Sequence, residues 1–504
     1  MLWLCWLVSL AYADARCANC HAEIVASYLQ TGMGRSLGPA VDEAQTSRQW
    51  RHPLSGRELF VEGGLRHGIR FRHLRASYRM EFAIGSGNQG KSYAWRQGDA
   101  LFQSPIAWYT ERRQWDFSPG YQEDPAPDFY RPITTECLFC HAGAVRPIDG
   151  TQNRYQDPPF LPAAISCDRC HGDGSDHIRR PLAGNIVNPS RLPAIERDSV
   201  CEACHLSGEA RIPNPGKDFL DFRPGRKLED VFTVYVPAHT PQRDFKVVSH
   251  SEQLAASRCA QHSKGRLWCV SCHDPHRRPA VETRAVYYRA KCLACHPNTE
   301  TRHQGVSSDD CTGCHMPRRR AYDGGHTAFT DHQIRRRGES SQAEAPEVRL
   351  RAWREPASPL RTRNLALAYI ASSEKLRAQP DLALARLQQG VLLLNQVLAS
   401  GAVDGAVAQA AGLLFLKQGK NAEAVRWFRF AVQQQPTHSL RRLNLAAALL
   451  ARGDRSAARA EAVEAIRLEP LLEGAYALLA EIEPARASYW KAEYLKRLPQ
   501  RILP

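Results

Sequence analysis

Long apolar runs are scarce in this 504-residue chain, and one short stretch near the beginning stands out. Residues 2–11 are largely apolar, but about 10 residues are too few to cross a bilayer as a retained helix. No other stretch of the sequence resembles a membrane span. We therefore expect a mature chain without a transmembrane segment.

The same beginning also lacks the basic residues that usually open a signal peptide. Its apolar run nevertheless ends in Ala11-Tyr12-Ala13, the small-x-small pattern of a cleavage site. We predict that residues 1–13 are a signal peptide, which would also remove Cys5. The protein is then exported, to the periplasm of a bacterium or beyond, and is soluble after cleavage.

Methionine is scarce too, with four residues, whereas the 16 cysteines follow a repeated pattern. The pentapeptide C-x-x-C-H occurs seven times, as CANCH, CLFCH, CDRCH, CEACH, CVSCH, CLACH and CTGCH. The motif cysteines are Cys17, Cys20, Cys137, Cys140, Cys167, Cys170, Cys201, Cys204, Cys269, Cys272, Cys292, Cys295, Cys311 and Cys314. The motif histidines are His21, His141, His171, His205, His273, His296 and His315.

Each motif has the composition of a c-type haem attachment site. The two thiols add across the haem vinyl groups, and the adjacent histidine binds the iron as its proximal ligand. Zinc ribbons also use C-x-x-C pairs, but a zinc site does not require a histidine directly after every second cysteine, and neither does a disulfide scaffold. The sequence predicts seven covalently bound haem c groups and leaves Cys259 as a buried free thiol outside the motifs.

The formal net charge of +15 would by itself suggest nucleic-acid binding. Seven haems would offset it by about −7 when oxidised and about −14 when reduced, because each carries two propionates and ferric porphyrin a net +1. The loaded protein would be only mildly basic. We therefore expect no nucleic-acid partner.

Composition divides the chain into two regions. Residues 14–337 contain all seven motifs and 18 of the 19 histidines, and we predict that they form a heptahaem domain. The motifs are so dense that we expect a mainly α fold in which the porphyrins form the core. Alternating apolar and polar positions predict a small insert of β hairpins at residues 57–115. Residues 338–361 are predicted to be a linker.

Residues 362–504 are rich in Ala, Leu, Gln and Arg, and they repeat. Gly412, Gly419, Ala424, Phe428, Ala431 and Pro436 recur 34 residues later as Ala446, Gly453, Ala458, Ala462, Ala465 and Pro470. This period and order of residue sizes predict an α-solenoid of tetratricopeptide repeats, with a plain helical bundle as the alternative. Such arrays bind other proteins, so the region predicts a protein partner.

Several stretches outside the motifs carry a resemblance. They are TGMGRS, IGSGNQGKSY, CDRCHGDGSDH, SEQLAASRC, CVSCHDPH, and CTGCHMPRRR with TDHQIRR after it. On these stretches residues 14–337 resemble the exported multihaem cytochromes related to the tetrahaem electron carrier of ammonia oxidation, hydroxylamine oxidoreductase and pentahaem nitrite reductase. The whole chain is similar to a bacterial set in which such a domain is fused to tetratricopeptide repeats.

The resemblance implies distal iron ligands among the histidines outside the motifs. These candidates are His177, His250, His276, His326 and His332. His177 and His276 follow a motif histidine so closely that each would reach the iron of a neighbouring motif. For the first motif we predict Met33, which lies 12 residues past His21 between two glycines that allow close approach to a porphyrin.

Other histidines outside the motifs lack a predicted role. His67, His73 and His303 are expected to be loop residues or propionate partners, whereas His52, His239 and His262 are left open.

Two functions remain possible at this stage. The first is a periplasmic electron-transfer protein that acts between redox partners, with the repeats binding one of them. The second is a haem-dependent oxidoreductase in which one haem lacks a distal ligand and binds a small nitrogen or sulfur compound. The related enzymes that carry a catalytic C-x-x-C-K motif differ from this chain, in which every motif ends in histidine, and the sequence identifies no catalytic residue.

Overall fold

The computed structural model describes residues 12–41, 46–238, 245–297, 310–335, 347–376 and 379–498. The predicted signal peptide, His239 and His303 therefore lie largely or wholly outside the described residues. No helix within these ranges is long and apolar enough to cross a membrane.

Two antiparallel sheets occupy most of residues 37–132. In the first, the strand order is β1-β6-β7-β8-β10, and β9 also pairs with β8; the second is a meander of β2, β3, β4 and β5. The strands are β1 (Leu37–Pro39), β2 (Arg48–Arg51), β3 (Glu58–Glu62), β4 (Arg66–Phe71), β5 (Leu74–Arg79), β6 (Phe82–Ile84), β7 (Gly90–Gln97), β8 (Ala100–Tyr109), β9 (Gln114–Phe117) and β10 (Arg131–Pro132).

The two sheets share an aromatic core. Tyr78, Trp95 and Phe129 pack ring against ring, with Tyr78 and Phe129 stacked at 4.4 Å between ring centres. Gly68 is required where the meander is tightest, because a Cβ atom there would lie 2.1 Å from the ring of Phe60. Large aromatic side chains on alternating strand positions thus give this part of the chain a core made entirely of protein.

Three smaller sheets follow. Strands β11 and β12 form one hairpin, β15 and β16 form another, and β13, β14 and β17 form a three-stranded sheet. Their bounds are β11 (Val145–Pro147), β12 (Tyr155–Phe160), β13 (Ala210–Pro213), β14 (Phe232–Pro237), β15 (Arg318–Arg320), β16 (Ala328–Thr330) and β17 (Leu350–Ala352).

The prediction of a mainly α, haem-cored first region is wrong. The chain as a whole is 44% helical and 18% strand, but its N-terminal half is largely strand-rich and contains several antiparallel sheets. Strands begin at residue 37 and continue well past residue 115, so they are not a small insert. Motif density does not exclude a protein core, because the buried aromatic residues between the first two motifs supply one.

Short helices carry the seven motifs and the segments around them. They are α1 (Tyr12–Tyr28), α2 (Thr135–His141), α3 (Asp168–His171), α4 (Ser175–Arg179), α5 (Ala194–His205), α6 (His250–Ala255), α7 (Arg258–His262), α8 (Cys269–Cys272), α9 (Arg284–Leu293) and α10 (Cys311–His315).

The second region consists of eight longer helices among the described residues. They are α11 (Arg361–Lys375), α12 (Pro380–Ser400), α13 (Gly405–Lys417), α14 (Asn421–Gln434), α15 (Ser439–Ala451), α16 (Arg455–Leu468), α17 (Glu473–Ile482) and α18 (Ala487–Arg497). Consecutive helices pack in pairs, and Asp404 and Asp454 cap α13 and α16 by accepting hydrogen bonds from backbone N–H groups of the first turn.

The 34-residue recurrence explains how the helix pairs fit together. Gly412 on α13 lies so close to Phe428 on α14 that a Cβ atom would be 2.6 Å from the ring, and Phe428 is fully buried. Gly419 and Gly453 adopt positive φ angles of 72° and 93° in the corresponding turns between paired helices. The small and large residues of the repeat are therefore those on which close helix packing depends.

The two regions are packed against each other. Strand β17, inside the predicted linker, pairs with β14 of the first region. Tyr476, Tyr494 and Leu498 from the last helices join the aromatic core of the sheets. Arg363 on α11 donates a hydrogen bond of 2.6 Å to the carbonyl oxygen of Pro213. The helical region is thus attached along its length to the region that contains the motifs.

Candidate cofactor sites

Each C-x-x-C-H motif is folded as about one turn of helix. The backbone N–H of His171 donates to the carbonyl oxygen of Cys167 at 2.9 Å, and the bonds in the fifth and sixth motifs, to Cys269 and Cys292, measure 2.9 and 3.0 Å. Side chains three and four positions apart lie on the same side of a helix. The two thiols and the imidazole of a motif therefore project to one side, as attachment to a single planar group requires.

Two motif histidines are oriented by backbone carbonyl groups. The Nδ1 atom of His171 lies 2.9 Å from the carbonyl oxygen of Val187, and that of His315 lies 2.6 Å from the carbonyl oxygen of Arg335. Since a carbonyl oxygen can only accept, Nδ1 carries the proton and Nε2 keeps a free electron pair. Metal-binding histidines are typically held in this way.

Two of the candidate distal histidines show the same arrangement. The Nδ1 atom of His177 faces the carbonyl oxygen of Leu182 at 3.1 Å, and that of His332 faces the carbonyl oxygen of Thr330 at 3.0 Å. Sequence reasoning missed all of these acceptors, because a backbone carbonyl is present at every residue and carries no signal of its own.

Four motif histidines lie beside a candidate distal histidine. The ring centres are 6.3 Å apart for His21 and His177, 5.8 Å for His171 and His276, 5.2 Å for His205 and His250, and 6.0 Å for His273 and His332. Two imidazoles on opposite sides of one metal ion, with bonds of about 2 Å each, would have their ring centres about 6 Å apart. Three of these pairs match that separation, and the pair of His205 and His250 is shorter.

The first motif is the clearest case for pairing across the chain. His177 belongs to α4, after the third motif, yet its ring is within 10° of parallel to that of His21. Met33 instead lies in a turn that leads to Ser36, and the hydroxyl of Ser36 donates to the carbonyl oxygen of His141 in the second motif. His177 is thus a candidate that the structure brings beside His21, and Met33 stays a prediction for the same motif.

Burial keeps the candidate ligands His250 and His332 uncharged. It lowers the pKa of His250 to about 2 and that of His332 to about 4, with neighbouring imidazoles adding to the effect. The Nδ1 atom of His250 is buried and makes no hydrogen bond within the described part of the chain. Neutral imidazole is the form that binds a metal, so both residues fit the role of a ligand.

His326 is placed differently from the other candidates. Its Nε2 atom lies 2.9 Å from a carboxylate oxygen of Asp116, and its ring packs on Tyr109. Because a carboxylate accepts, Nε2 holds a proton in this arrangement and is not available to a metal. The structure brings His326 to the sheet rather than beside a motif histidine within the described residues.

The remaining described histidines occupy ordinary positions. His67 is not the loop residue or propionate partner expected from the sequence: it is fully buried in β4, with Nδ1 at 2.8 Å from the Ser104 hydroxyl and Nε2 at 3.2 Å from the carbonyl oxygen of Gly64. His52 is also buried, and its Nε2 atom lies 3.0 Å from the carbonyl oxygen of Tyr121. His73 and His262 are exposed.

Cysteines of different motifs are neighbours in space. Cys140 lies beside Cys204, Cys201 beside Cys269, and Cys292 beside Cys311. The adjacent Cys204 thiol, aided by the Arg211 guanidinium at 3.6 Å, lowers the pKa of Cys140 to about 6. Cys259, outside the motifs, is half-buried rather than buried. The second, fourth and fifth motifs are therefore contiguous, as are the sixth and seventh.

No protein-family model matches the chain, and a search of curated proteins finds no significant match. No group of three or more His, Cys, Asp or Glu side chains within the described ranges is arranged to hold a metal ion. Haem iron needs at most two protein ligands, because the porphyrin supplies the other four. The paired histidines and the adjacent thiols fit that requirement.

Proposed function

We propose that this protein is a periplasmic heptahaem c-type cytochrome that transfers electrons between redox partners. The observation that carries the proposal is the pairing of motif histidines with histidines from other segments, most clearly His21 with His177 and His171 with His276. Haem iron supplies a one-electron carrier when it is bound.

The arrangement of the motifs supports electron transfer through the chain. His276, which follows the fifth motif, lies beside His171 of the third, so one short segment serves two sites. Cysteines of the second and fourth, fourth and fifth, and sixth and seventh motifs touch. Cofactors attached to residues this close would be separated by short distances.

The helical region supports binding of a protein partner. It resembles a tetratricopeptide-repeat array in sequence period, and its helices pack in consecutive pairs. One side of the array is covered by the first region, but Leu384 and Leu392 on α12 are each 55% exposed. Apolar side chains in such positions are suited to contact with another redox protein.

Spectroscopy of the protein matured with haem-attachment machinery tests the proposal. We expect reversible reduction by about seven electrons per chain, with low-spin ferric spectra for the four haems whose motif histidine lies beside a second histidine, because two axial histidines make haem low-spin. A high-spin component whose spectrum changes when a small nitrogen or sulfur compound is added would favour the oxidoreductase alternative. Failure to take up haem would contradict both functions.

Partner binding has a separate test. Changing Leu384→Asp together with Leu392→Asp should slow reoxidation of the reduced protein by a periplasmic extract while its haem spectrum is unaltered. The matched control is the same pair of changes at the exposed positions Val281 and Val286 of the first region. Equal rates in all three proteins would contradict docking at α12.

A further inference from the structure

A buried ionic network joins the helical region to the fourth motif. Arg386 on α12 is 2% exposed, and its guanidinium donates to a carboxylate oxygen of Glu209 at 2.7 Å and to the carbonyl oxygen of Glu347 at 3.1 Å. Glu209 lies four residues after His205. The network therefore begins in the second region and ends beside a proximal histidine.

The same network holds the segment that contains His250. Lys246 donates to Glu209 at 2.5 Å and to the carbonyl oxygen of Gly208 at 2.9 Å. Glu252 accepts a hydrogen bond of 2.8 Å from the backbone N–H of Gly208. Three polar contacts thus connect residues 208–209 to residues on either side of His250.

The backbone at Gly208 is tightly constrained. Its φ is +60°, and a Cβ atom would lie 2.5 Å from Val234 and 2.6 Å from the carbonyl oxygen of Tyr235. The backbone that follows His205 is therefore fixed against β14, and Glu252 fixes helix α6 against that backbone. Since His250 begins α6 and lies 5.2 Å from His205, the separation of the two rings depends on these contacts.

We infer that Arg386 and Glu252 are positioning residues that hold His250 opposite His205, so that the helical region controls the iron ligands of the fourth motif. The inference rests on the proposed function, because it assigns His205 and His250 to one haem. Arg386 acts through Glu209 and Lys246, and Glu252 acts through Gly208. Neither side chain is itself a ligand.

Arg386 acts through its buried positive charge. Loss of its guanidinium removes a charge partner of Glu209 and the donor to Glu347, and a buried charge left short of partners drives rearrangement. In Arg386→Met, seven haems should remain attached by mass while about one seventh of the ferric haem becomes high-spin or shifts its potential. Arg386→Lys, which retains the charge, should show a smaller change.

The matched control is Arg467→Met. Arg467 pairs with Glu464 on α16, and its side chain is 66% exposed, so its loss should leave every haem signal unaltered. Glu252→Met provides a second test should Arg386→Met fail to fold, because it removes the acceptor for Gly208 within α6 itself. Glu252→Gln keeps an acceptor oxygen and should restore the wild-type spectrum.

The outcomes distinguish the positioning role of these residues from the proposed function. Seven attached haems with wild-type spectra and titrations in both Arg386→Met and Glu252→Met would overturn the positioning role while leaving the proposed function intact. A wild-type protein without haem would overturn the proposed function and this inference together. The inference is supported if one low-spin haem signal in seven is lost in Arg386→Met and in Glu252→Met, while Glu252→Gln keeps the wild-type spectrum.

Discussion

The helices of the two regions are stabilised in different ways. Helices α11 to α18 each bury side chains, among them Ala411, Phe428 and Ala462 with no exposure at all. Helices α6 to α10, which are fully described and carry the last three motifs, contain no fully buried residue. Segments that bury so little apolar surface cannot offset the entropy of ordering their backbone. The comparison teaches that the helices of the last three motifs bury too little of their own surface to be stable alone, whereas the repeat helices stabilise one another.

Preventing haem attachment should produce the largest difference in stability between the two regions. In protein made without attachment machinery, we expect residues 250–297 and 310–315 to exchange their backbone amide protons rapidly, while residues 361–375 and 380–497 stay protected. Hydrogen exchange followed by mass spectrometry resolves the two segments. Equal protection of both would show that the motif helices are stable without the cofactor.

Removing a repeat core residue should produce the next largest effect. Phe428 is fully buried between α13 and α14, so Phe428→Ala should lower the free energy of unfolding by about 4 kcal/mol. The exposed Leu384 serves as control, since Leu384→Ala should change the free energy of unfolding by less than about 0.5 kcal/mol. Denaturant unfolding monitored by helix circular dichroism measures both, and similar values for the two variants would contradict the assigned repeat core.

Acidification should weaken the junction between the regions. Burial lowers the pKa of His438 from 6.5 to about 4, with Arg441 lowering and Asp149 raising it. The unfolded chain binds this proton first, so the stability that neutral His438 contributes is complete above pH 6.5 and is lost as the pH falls toward 4.

The predicted size of that loss is up to about 3 kcal/mol relative to His438→Gln, which does not titrate. Denaturant unfolding of both proteins at pH 7 and pH 4 measures it. A constant difference between them across this range would contradict the shifted pKa.

Ligand replacement should produce the smallest change, confined to one site. His177→Ala should convert about one of the seven ferric haems to high-spin, because His177 lies opposite His21. Met33→Leu should leave the spectrum unaltered. The reverse result would restore Met33 as the ligand of the first motif.

Motif spacing and the 34-residue period were the informative parts of the sequence. The spacing of Cys167, Cys170 and His171 already implies three side chains on one side of a helical turn. The 34-residue recurrence also identifies Gly412 and Phe428 as the small and large residues of a repeat. The sequence did not reveal the aromatic core around Trp95, because alternation predicts strands in residues 57–115 but not how those strands pack against one another. Nor could it pair His21 with His177, since contacts between segments 156 residues apart depend on the whole fold.

The central claim is that the seven motifs each carry a covalent haem. The intact mass of protein matured in a host with the attachment machinery tests it most directly. We predict seven haem additions, on a chain from which about the first 13 residues have been removed. Six or fewer additions, with zinc bound at the remaining motifs, would contradict the claim.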